Sequence, residues 1–141
     1  MIEVVNRQRK VRLDGERWRA FVEKALKVVP AEGAGATVAF VSDRAMRGLN
    51  RRWRGKGGTT DVLSFPAGQD EFEMAAGASL GDVVISLEQA GRQAAEHGLT
   101  LENEVEQLIL HGLLHLCGYD HETDEGQMNA LELSLRRRLG I

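Results

Sequence analysis

The feature that most constrains this chain is a group of three histidines near its C-terminal end, in the segment HGLLHLCGYDH. His111 and His115 are four residues apart, a spacing that places two side chains on one face of an α-helix, one turn apart. Gly118 can take the left-handed conformation that ends a helix, so the chain can turn back and bring His121 to the same point. Three imidazoles that converge on one point and leave a fourth position open are the usual layout of a catalytic zinc site.

This spacing predicts one Zn²⁺ ion per chain, held by His111, His115 and His121. Another transition metal such as Ni²⁺ can replace zinc during purification, because affinity for such sites follows the Irving–Williams order. Three unrelated histidines are the alternative, but the rest of the sequence supplies only one more, His97. We expect His97 to be exposed near the end of a helix and not to bind the metal.

The position after the first histidine separates this chain from the zinc proteases. The ligand spacing equals that of their extended signature, H-E-x-x-H-x-x-G-x-x-H, in which the Glu acts as general base. Here that position is Gly112, which has no side chain with which to move a proton. The sequence therefore predicts the metal site without the peptidase machinery.

Three sequence blocks together carry a more specific pattern. They are HGLLHLCGYDH at 111–121, WRGK at 53–56 followed by TDVLSFP at 60–66, and LGDVVIS at 80–86. In this order, and in a chain of 141 residues, the blocks closely resemble the YbeY family, the bacterial rRNA-maturation endoribonucleases. One departure is Thr59, which stands where the family usually has proline. We expect this change to loosen the loop without touching the metal.

The resemblance implies a function. It implies a single-strand-specific, metal-dependent endoribonuclease that matures the 3′ end of small-subunit ribosomal RNA and serves ribosome quality control. The implied partners are ribosomal RNA precursor and the small subunit or its proteins, with neither DNA nor a membrane. The resemblance also makes Arg54 the candidate catalytic residue, because a planar guanidinium suits two phosphate oxygens. A surface salt bridge is the alternative role for Arg54.

Two further functions stay open. A zinc peptidase-like hydrolase is one, and Gly112 is the evidence against it. A ribosome assembly factor with a structural metal is the other. A structural zinc normally has four protein ligands, and a fourth is not obvious in this sequence unless Cys117 or Asp120 supplies it.

A cationic stretch precedes the second block. Six cations lie close to the single acid Asp43: Arg44, Arg47, Arg51, Arg52, Arg54 and Lys56. On charge alone, a solvated helix face is the ordinary interpretation, whereas a neighbouring metal-hydrolase motif favours a surface that contacts phosphates. We expect Arg54 to lie just past the helix, on the glycine-rich loop that leads to the next strand.

Hydrophobic periodicity predicts the element order β-α-β-α-β-β-α-α-α. The predicted helices include segments at about 14–29 and 43–53, and a last helix from about 123. A helix from about 101 to 116 is apolar over much of its circumference and should be buried. The class is therefore α+β, with a small mixed sheet of four strands, about five helices and the metal site on the buried central helix.

Composition limits compartment and size. The chain has 141 residues, of which 43% are hydrophobic and 28% charged, as expected for a single globular domain over 1–141. Its one cysteine, Cys117, excludes an internal disulfide and should lie in the core, which fits a reducing cytoplasm. No apolar run approaches the length of about 18 residues that spans a membrane.

Several polar residues near the histidines are candidates for supporting roles. Asp120 and Glu122 flank His121 and can orient a ligand imidazole as hydrogen-bond acceptors. Asp82 can do so from the sheet or can form a turn, and Tyr119 can donate a hydrogen bond or simply pack. No general base is evident in the sequence.

Overall fold

A computed structural model describes residues 1–31, 33–67, 79–120 and 122–141. The described residues form β1 (Ile2–Asn6), α1 (Gly15–Leu26), β2 (Gly35–Val41), α2 (Asp43–Arg54), β3 (Val62–Pro66), β4 (Ser79–Ser86), α3 (Leu87–His97), α4 (Leu101–Leu116) and α5 (Gln127–Leu139). This confirms the predicted α+β class and element order. No helix in these ranges is long and apolar enough to cross a membrane. The sequence also predicts a flexible acidic connection over 67–79, which carries Asp70, Glu71 and Glu73. Most of it, 68–78, lies outside the described residues.

The four strands form one mixed sheet in the order β1-β2-β4-β3. β2 pairs with β1 and with β4 in parallel, whereas β3 pairs with β4 antiparallel. Among the strands in the described ranges, β3 is therefore an edge strand. Because side chains alternate along a strand, Val62 and Ser64 point to one face of β3 while Leu63 and Phe65 point to the other.

The two faces of the sheet are covered unequally. One face packs against α1, α3 and α4, and α5 packs on α4. These elements hold the main core, which includes Phe40, Val83, Ile85 and Ile109. The opposite face carries a small second core, in which Met46 of α2 packs on strand residues that include Leu63. Among the described elements, α2 is the helix that covers this second face.

α4 is the buried central helix that the sequence predicted. Thr100 caps its start, with the side-chain oxygen accepting from the Asn103 backbone N–H at 3.0 Å. Gly112 is where the helix meets the sheet most closely: a Cβ built there would lie 2.6 Å from Cγ1 of Val83 and 3.2 Å from Oγ of Ser64. The close approach explains the glycine, because any side chain would push α4 away from β3 and β4.

Two helix boundaries differ from the sequence prediction. α2 continues through Arg54 and ends at Gly55, whose φ of 64° is the left-handed conformation that suits glycine. The prediction that Arg54 lies past the helix was therefore wrong. α5 begins at Gln127 and not near 123, because the Asp124 carboxylate accepts the backbone N–H groups of Gly126 (2.9 Å) and Met128 (2.8 Å) in a turn that precedes the helix.

The loop before β3 is fastened at Thr59. Its hydroxyl donates to Oδ1 of Asp43 at 3.2 Å, and the same carboxylate accepts from Ser86 Oγ at 2.5 Å and from Arg92. Asp43 begins α2, Ser86 ends β4 and Arg92 belongs to α3. The loop is thus tied to three elements at once, contrary to the expectation that Thr59 loosens it.

Candidate metal centre and active-site cleft

A cleft of about 430 Å³ opens along the edge strand β3. It is lined by residues from four parts of the chain: Arg54 at the end of α2, residues 60–64 and Pro66 of β3 and its approach, His111 and His115 of α4, and Asp120 and Glu122 beyond α4. His111 and His115 of the histidine motif and Arg54 of the WRGK block therefore meet in one place.

The first two predicted ligands face each other in this cleft. Nε2 of His111 and Nε2 of His115 are 3.1 Å apart, and the ring centroids are 4.7 Å apart. This confirms that the four-residue spacing on α4 places both imidazoles on one helix face. Both side chains are half-buried, so they are held by packing and still reach the solvent side of the cleft.

Glu132 on α5 orients His111 from behind. Its Oε1 lies 2.6 Å from Nδ1 of His111, and its Oε2 accepts from Arg136. Burial raises the pKa of the Glu132 carboxyl, but the hydrogen bond from His111 and the nearby charges of His111 and Arg136 outweigh burial and hold this pKa below its usual value. An ionised carboxylate only accepts, so Nδ1 of His111 is the donor to Glu132, and Nε2 is the nitrogen that faces His115 across the cleft.

The donor set fits a zinc ion. Two nitrogens on a tetrahedral zinc lie about 3.3 Å apart, given Zn–N bonds of about 2.0–2.1 Å, close to the observed 3.1 Å between the two Nε2 atoms. A carboxylate on the far nitrogen of a ligand histidine is the usual support of a bound metal. The third predicted ligand, His121, lies outside the described residues; its neighbours Asp120 and Glu122 both line the cleft. Within the described ranges, no third His, Cys, Asp or Glu completes a ligand cluster.

Arg54 reaches the cleft from the opposite side of the sheet. α4 packs on the face that Ser64 contacts, since the Ser64 hydroxyl donates to the Gly112 carbonyl at 3.2 Å. α2 packs on the other face. Arg54 and the histidines therefore approach the same space around the edge of β3. Among the described strands, β3 is the last in the sheet, so the cleft joins the two faces at an edge.

Glu132 is the site residue that sequence reasoning missed. The acids predicted to orient an imidazole were Asp120, Glu122 and Asp82, yet it is Glu132 that contacts Nδ1 of His111. Asp120 instead accepts the Glu122 backbone N–H at 3.0 Å and orders the turn. Asp82 is exposed on β4.

A signal for Glu132 was present in the sequence. It occupies the buried stripe of α5, between Met128 and Leu135. A carboxylate at a core position is unusual unless it is paired, and this one has Arg136 one turn further along the same helix. The pattern indicates a buried acid with a polar partner, although it does not say which other element supplies the second partner.

The remaining candidates take structural roles. Tyr119 and Cys117 are half-buried and pack against the main core, and burial raises the pKa of the Cys117 thiol. His97 ends α3 with its side chain about half exposed, and its Nδ1 lies 3.1 Å from the Glu104 carboxylate. Its predicted place at an exposed helix end is confirmed.

Comparisons with known proteins identify the family. A family model described as Endoribonuclease YbeY matches residues 3–140. A protein named Endoribonuclease YbeY from Myxococcus xanthus is 50% identical over 111 residues, which are 77% of this chain and 38% of that protein. Proteins of the same name from Solibacter usitatus and Pelotomaculum thermopropionicum are 47% and 45% identical, over 79% and 86% of this chain and 70% and 84% of their own lengths.

A solved structure agrees with the fold. The solution structure of TM1509 from Thermotoga maritima matches with a TM-score of 0.64 at 24% sequence identity, over 99% of this chain and 89% of that one. The chain spans well under half of the Myxococcus relative and most of the other two. The family model nevertheless matches nearly the whole chain, so the chain belongs to the YbeY family.

Proposed function

We propose that this chain is a zinc-dependent endoribonuclease that hydrolyses phosphodiester bonds in single-stranded ribosomal RNA precursor. Its family membership supports the nuclease activity. The observation that carries the proposal is the cleft, in which a histidine pair oriented by a buried carboxylate faces an arginine from the other side of the sheet. The proposed setting is cytoplasmic maturation of the 3′ end of small-subunit rRNA and ribosome quality control, with the small subunit or its proteins as partners.

Each side chain has a distinct role in this proposal. His111, His115 and His121 would hold the zinc, and Glu132 fixes the tautomer and the orientation of His111. When bound, zinc supplies a water activated at neutral pH and neutralises charge on a phosphoryl oxygen. Arg54 adds a second positive charge from the opposite wall, and its planar guanidinium can donate to two phosphate oxygens. We assign Arg54 the catalytic role because it lines the same cleft as the ligands.

The cations of α2 provide a path for the substrate backbone. Arg44, Arg47, Arg51 and Arg54 follow one another at intervals of three, four and three residues, which is one continuous stripe along the helix. All four are exposed. The stripe ends at the cleft, because Arg54 is both the last residue of α2 and a lining residue. Phosphate contacts of this kind position a strand without reading its bases.

The peptidase alternative meets an obstacle in the packing of α4. The zinc proteases need a glutamate directly after the first histidine, and that position is Gly112. Even a Cβ there would lie 2.6 Å from Val83. A glutamate would require α4 to move away from the sheet, so this chain has no room for the peptidase base.

The test combines metal content with RNA cleavage. The purified chain should contain about one zinc equivalent and should cleave a single-stranded rRNA-precursor fragment but not casein. His115→Ala should lose both zinc and cleavage, whereas the matched variant His97→Ala, at an exposed helix end, should keep both. Cleavage of casein with intact RNA would contradict the proposal, and so would full RNA cleavage by His115→Ala.

A further inference from the structure

We propose that Trp53 is a stacking platform for an unpaired base that flanks the cleaved phosphate. This inference rests on the proposed ribonuclease function and adds a residue that contacts a base to a site so far built from phosphate contacts. The chain has two tryptophans, and they lie in opposite environments. Trp18 is 6% exposed in the main core, whereas Trp53 is 64% exposed.

Trp53 is exposed and also held in place. Its ring centroid lies 5.8 Å from that of Phe65 on β3, with the two ring planes at 72°. Such a perpendicular contact is a favourable geometry for two aromatic rings, and it occupies only part of the indole surface. The tryptophan belongs to the last turn of α2, so its backbone is also fixed. An indole that is immobilised and still open to solvent loses little entropy when a flat ligand packs on it.

The position of Trp53 couples it to the cleft. The next residue, Arg54, lines the cleft together with the histidines. The partner of the indole, Phe65, lies between two cleft-lining residues of the same edge strand, Ser64 and Pro66. A strand whose phosphate sits between Arg54 and the histidine pair therefore has a neighbouring nucleotide close to the indole.

The charge around Trp53 indicates which kind of ligand packs on its exposed face. The exposed charged side chains within six residues of Trp53 in sequence are all cations: Arg47, Arg51, Arg52, Arg54 and Lys56. The nearest acid in sequence, Asp61, is half-buried and accepts from the Val62 backbone N–H and from Gln93. The next, Asp43, is 7% exposed, and its carboxylate is already bonded to Ser86, Thr59 and Arg92. An apolar partner would have to bury these cations, whereas a polyanion with planar bases matches both the charge and the aromatic face. Unpaired bases on exposed aromatic side chains, flanked by basic residues, are the usual mode of single-strand binding.

Fluorescence provides a direct test. In Trp18→Phe, all tryptophan emission comes from Trp53; in Trp53→Phe, it comes from the buried Trp18. An oligoadenylate should quench the emission of Trp18→Phe in a saturable titration and leave that of Trp53→Phe nearly unchanged. A strand of equal length with abasic sugars should bind through its phosphates without quenching. Equal quenching by the abasic strand would show that Trp53 senses charge alone and would overturn the stacking role.

Binding of variants gives an independent measurement. Trp53→Leu should weaken oligoadenylate binding about 5- to 150-fold, since stacking on one aromatic contributes about 1–3 kcal/mol per base. Trp53→Tyr keeps an aromatic face and should stay within about threefold of the unaltered chain. Leu133→Ala is the matched control, because Leu133 is an exposed apolar residue on α5, and its binding should not change. All three variants should bind the abasic strand as tightly as the unaltered chain does.

The outcomes separate this inference from the proposed function. Suppose that the unaltered chain cleaves RNA and that Trp53→Leu binds oligoadenylate as tightly as the unaltered chain. The stacking role is then wrong, and the proposed ribonuclease function is unaffected. If the unaltered chain neither binds nor cleaves RNA, the proposed function itself fails and the stacking role fails with it. Equal losses in Trp53→Leu and Trp53→Tyr would also overturn the role of the aromatic face.

Discussion

The two faces of the sheet differ in how they present their proposed functional groups, which are buried or half-buried on one face and exposed on the other. On the α4 face, the residues around the predicted metal site are buried: Gly112 packs closely against the sheet, and Glu132, behind His111, is 8% exposed. On the α2 face, the groups proposed to meet RNA are exposed, and Trp53 is 64% exposed beside its cations. Metal ligands need fixed geometry, whereas a flexible polyanion needs charge and open aromatic surface. The cleft joins the two faces around the edge strand β3.

The largest effect is expected where the two faces meet, at Arg54. Arg54→Ala should slow single-turnover cleavage about 10²-fold, by analogy with the removal of one donor from an oxyanion site. Its charge is needed most when the phosphoryl group carries extra negative charge, so the loss should appear in the cleavage step more than in binding. The measurement is single-turnover cleavage at saturating enzyme.

Arg47→Ala is the matched control on the same helix stripe. It should weaken RNA binding modestly. It should also reduce the slope of the logarithm of the RNA association constant against the logarithm of the salt concentration by about one unit, as expected for one phosphate contact. Its single-turnover rate at saturation should match that of the unaltered chain. If both variants cleave at the same rate, Arg54 is only another phosphate contact, and the assignment of catalysis to the edge of β3 is wrong.

The next effect belongs to the buried face alone. Glu132→Gln keeps the shape of the side chain but removes the charge that orients His111, so zinc affinity and cleavage should fall about 10- to 100-fold. Competition with a chelator measures the affinity. Glu102→Gln is the control, because Glu102 is an exposed acid in the first turn of α4. Unchanged zinc affinity in Glu132→Gln would show that packing alone positions the ring of His111.

Glu132 also shows which contacts of the site could not be predicted from the sequence. The spacing of His111 and His115 is local, and four residues on a helix fix their common face whatever the rest of the fold does. The contact between Glu132 and His111 joins α5 to α4, so it depends on how α5 is oriented on α4. The Arg54 role came from resemblance, because nothing local says that the end of α2 reaches around a strand to α4. The predicted end of α2 and the predicted start of α5 were wrong because they depend on capping interactions, which hydrophobic periodicity does not reveal.

A pair of glycines compares the stability of the two faces directly. Gly112→Ala should destabilise the fold by about 1–3 kcal/mol, the usual cost of an extra group in a packed interior, and should weaken zinc binding because α4 has to shift. Gly48 lies within α2, where an added Cβ meets nothing within 4 Å. Gly48→Ala should therefore stabilise the fold by about 0.5–1 kcal/mol, the helix preference of alanine over glycine.

Urea unfolding measures both glycine variants, and the sign of the change is the result that matters. Opposite signs would confirm that α4 is tightly packed and α2 is open at these positions. A destabilised Gly48→Ala would mean that the α2 face is packed more closely than its exposed residues indicate. A Gly112→Ala variant with unaltered stability and zinc affinity would remove the packing argument against a peptidase.

The smallest effect tests how the α2 face is anchored. Burial raises the pKa of the Asp43 carboxyl, but hydrogen bonds from Ser86, Arg92 and Thr59 and the charge of Arg92 outweigh it, so the pKa lies below its usual value. A lowered pKa means that the unfolded chain takes up the proton first as pH falls, so this contribution is complete at neutral pH and is lost below about pH 4. Because Arg92 is half exposed, the pH-dependent part should be on the order of 1 kcal/mol or less.

Asp43→Asn should therefore be less stable than the unaltered chain at pH 7, and the gap in unfolding free energy should narrow as pH falls below about 4. Asp14→Asn is the control. Asp14 is the exposed cap of α1 and accepts two backbone N–H groups, a task that asparagine performs equally well. Zinc affinity should not change in either variant, because neither side chain contacts His111, His115 or Glu132. A gap for Asp43→Asn that stays constant with pH would show that shape, and not charge, anchors α2. A fall in zinc affinity would show that the two faces are mechanically coupled through β4 and not only joined at the edge of β3.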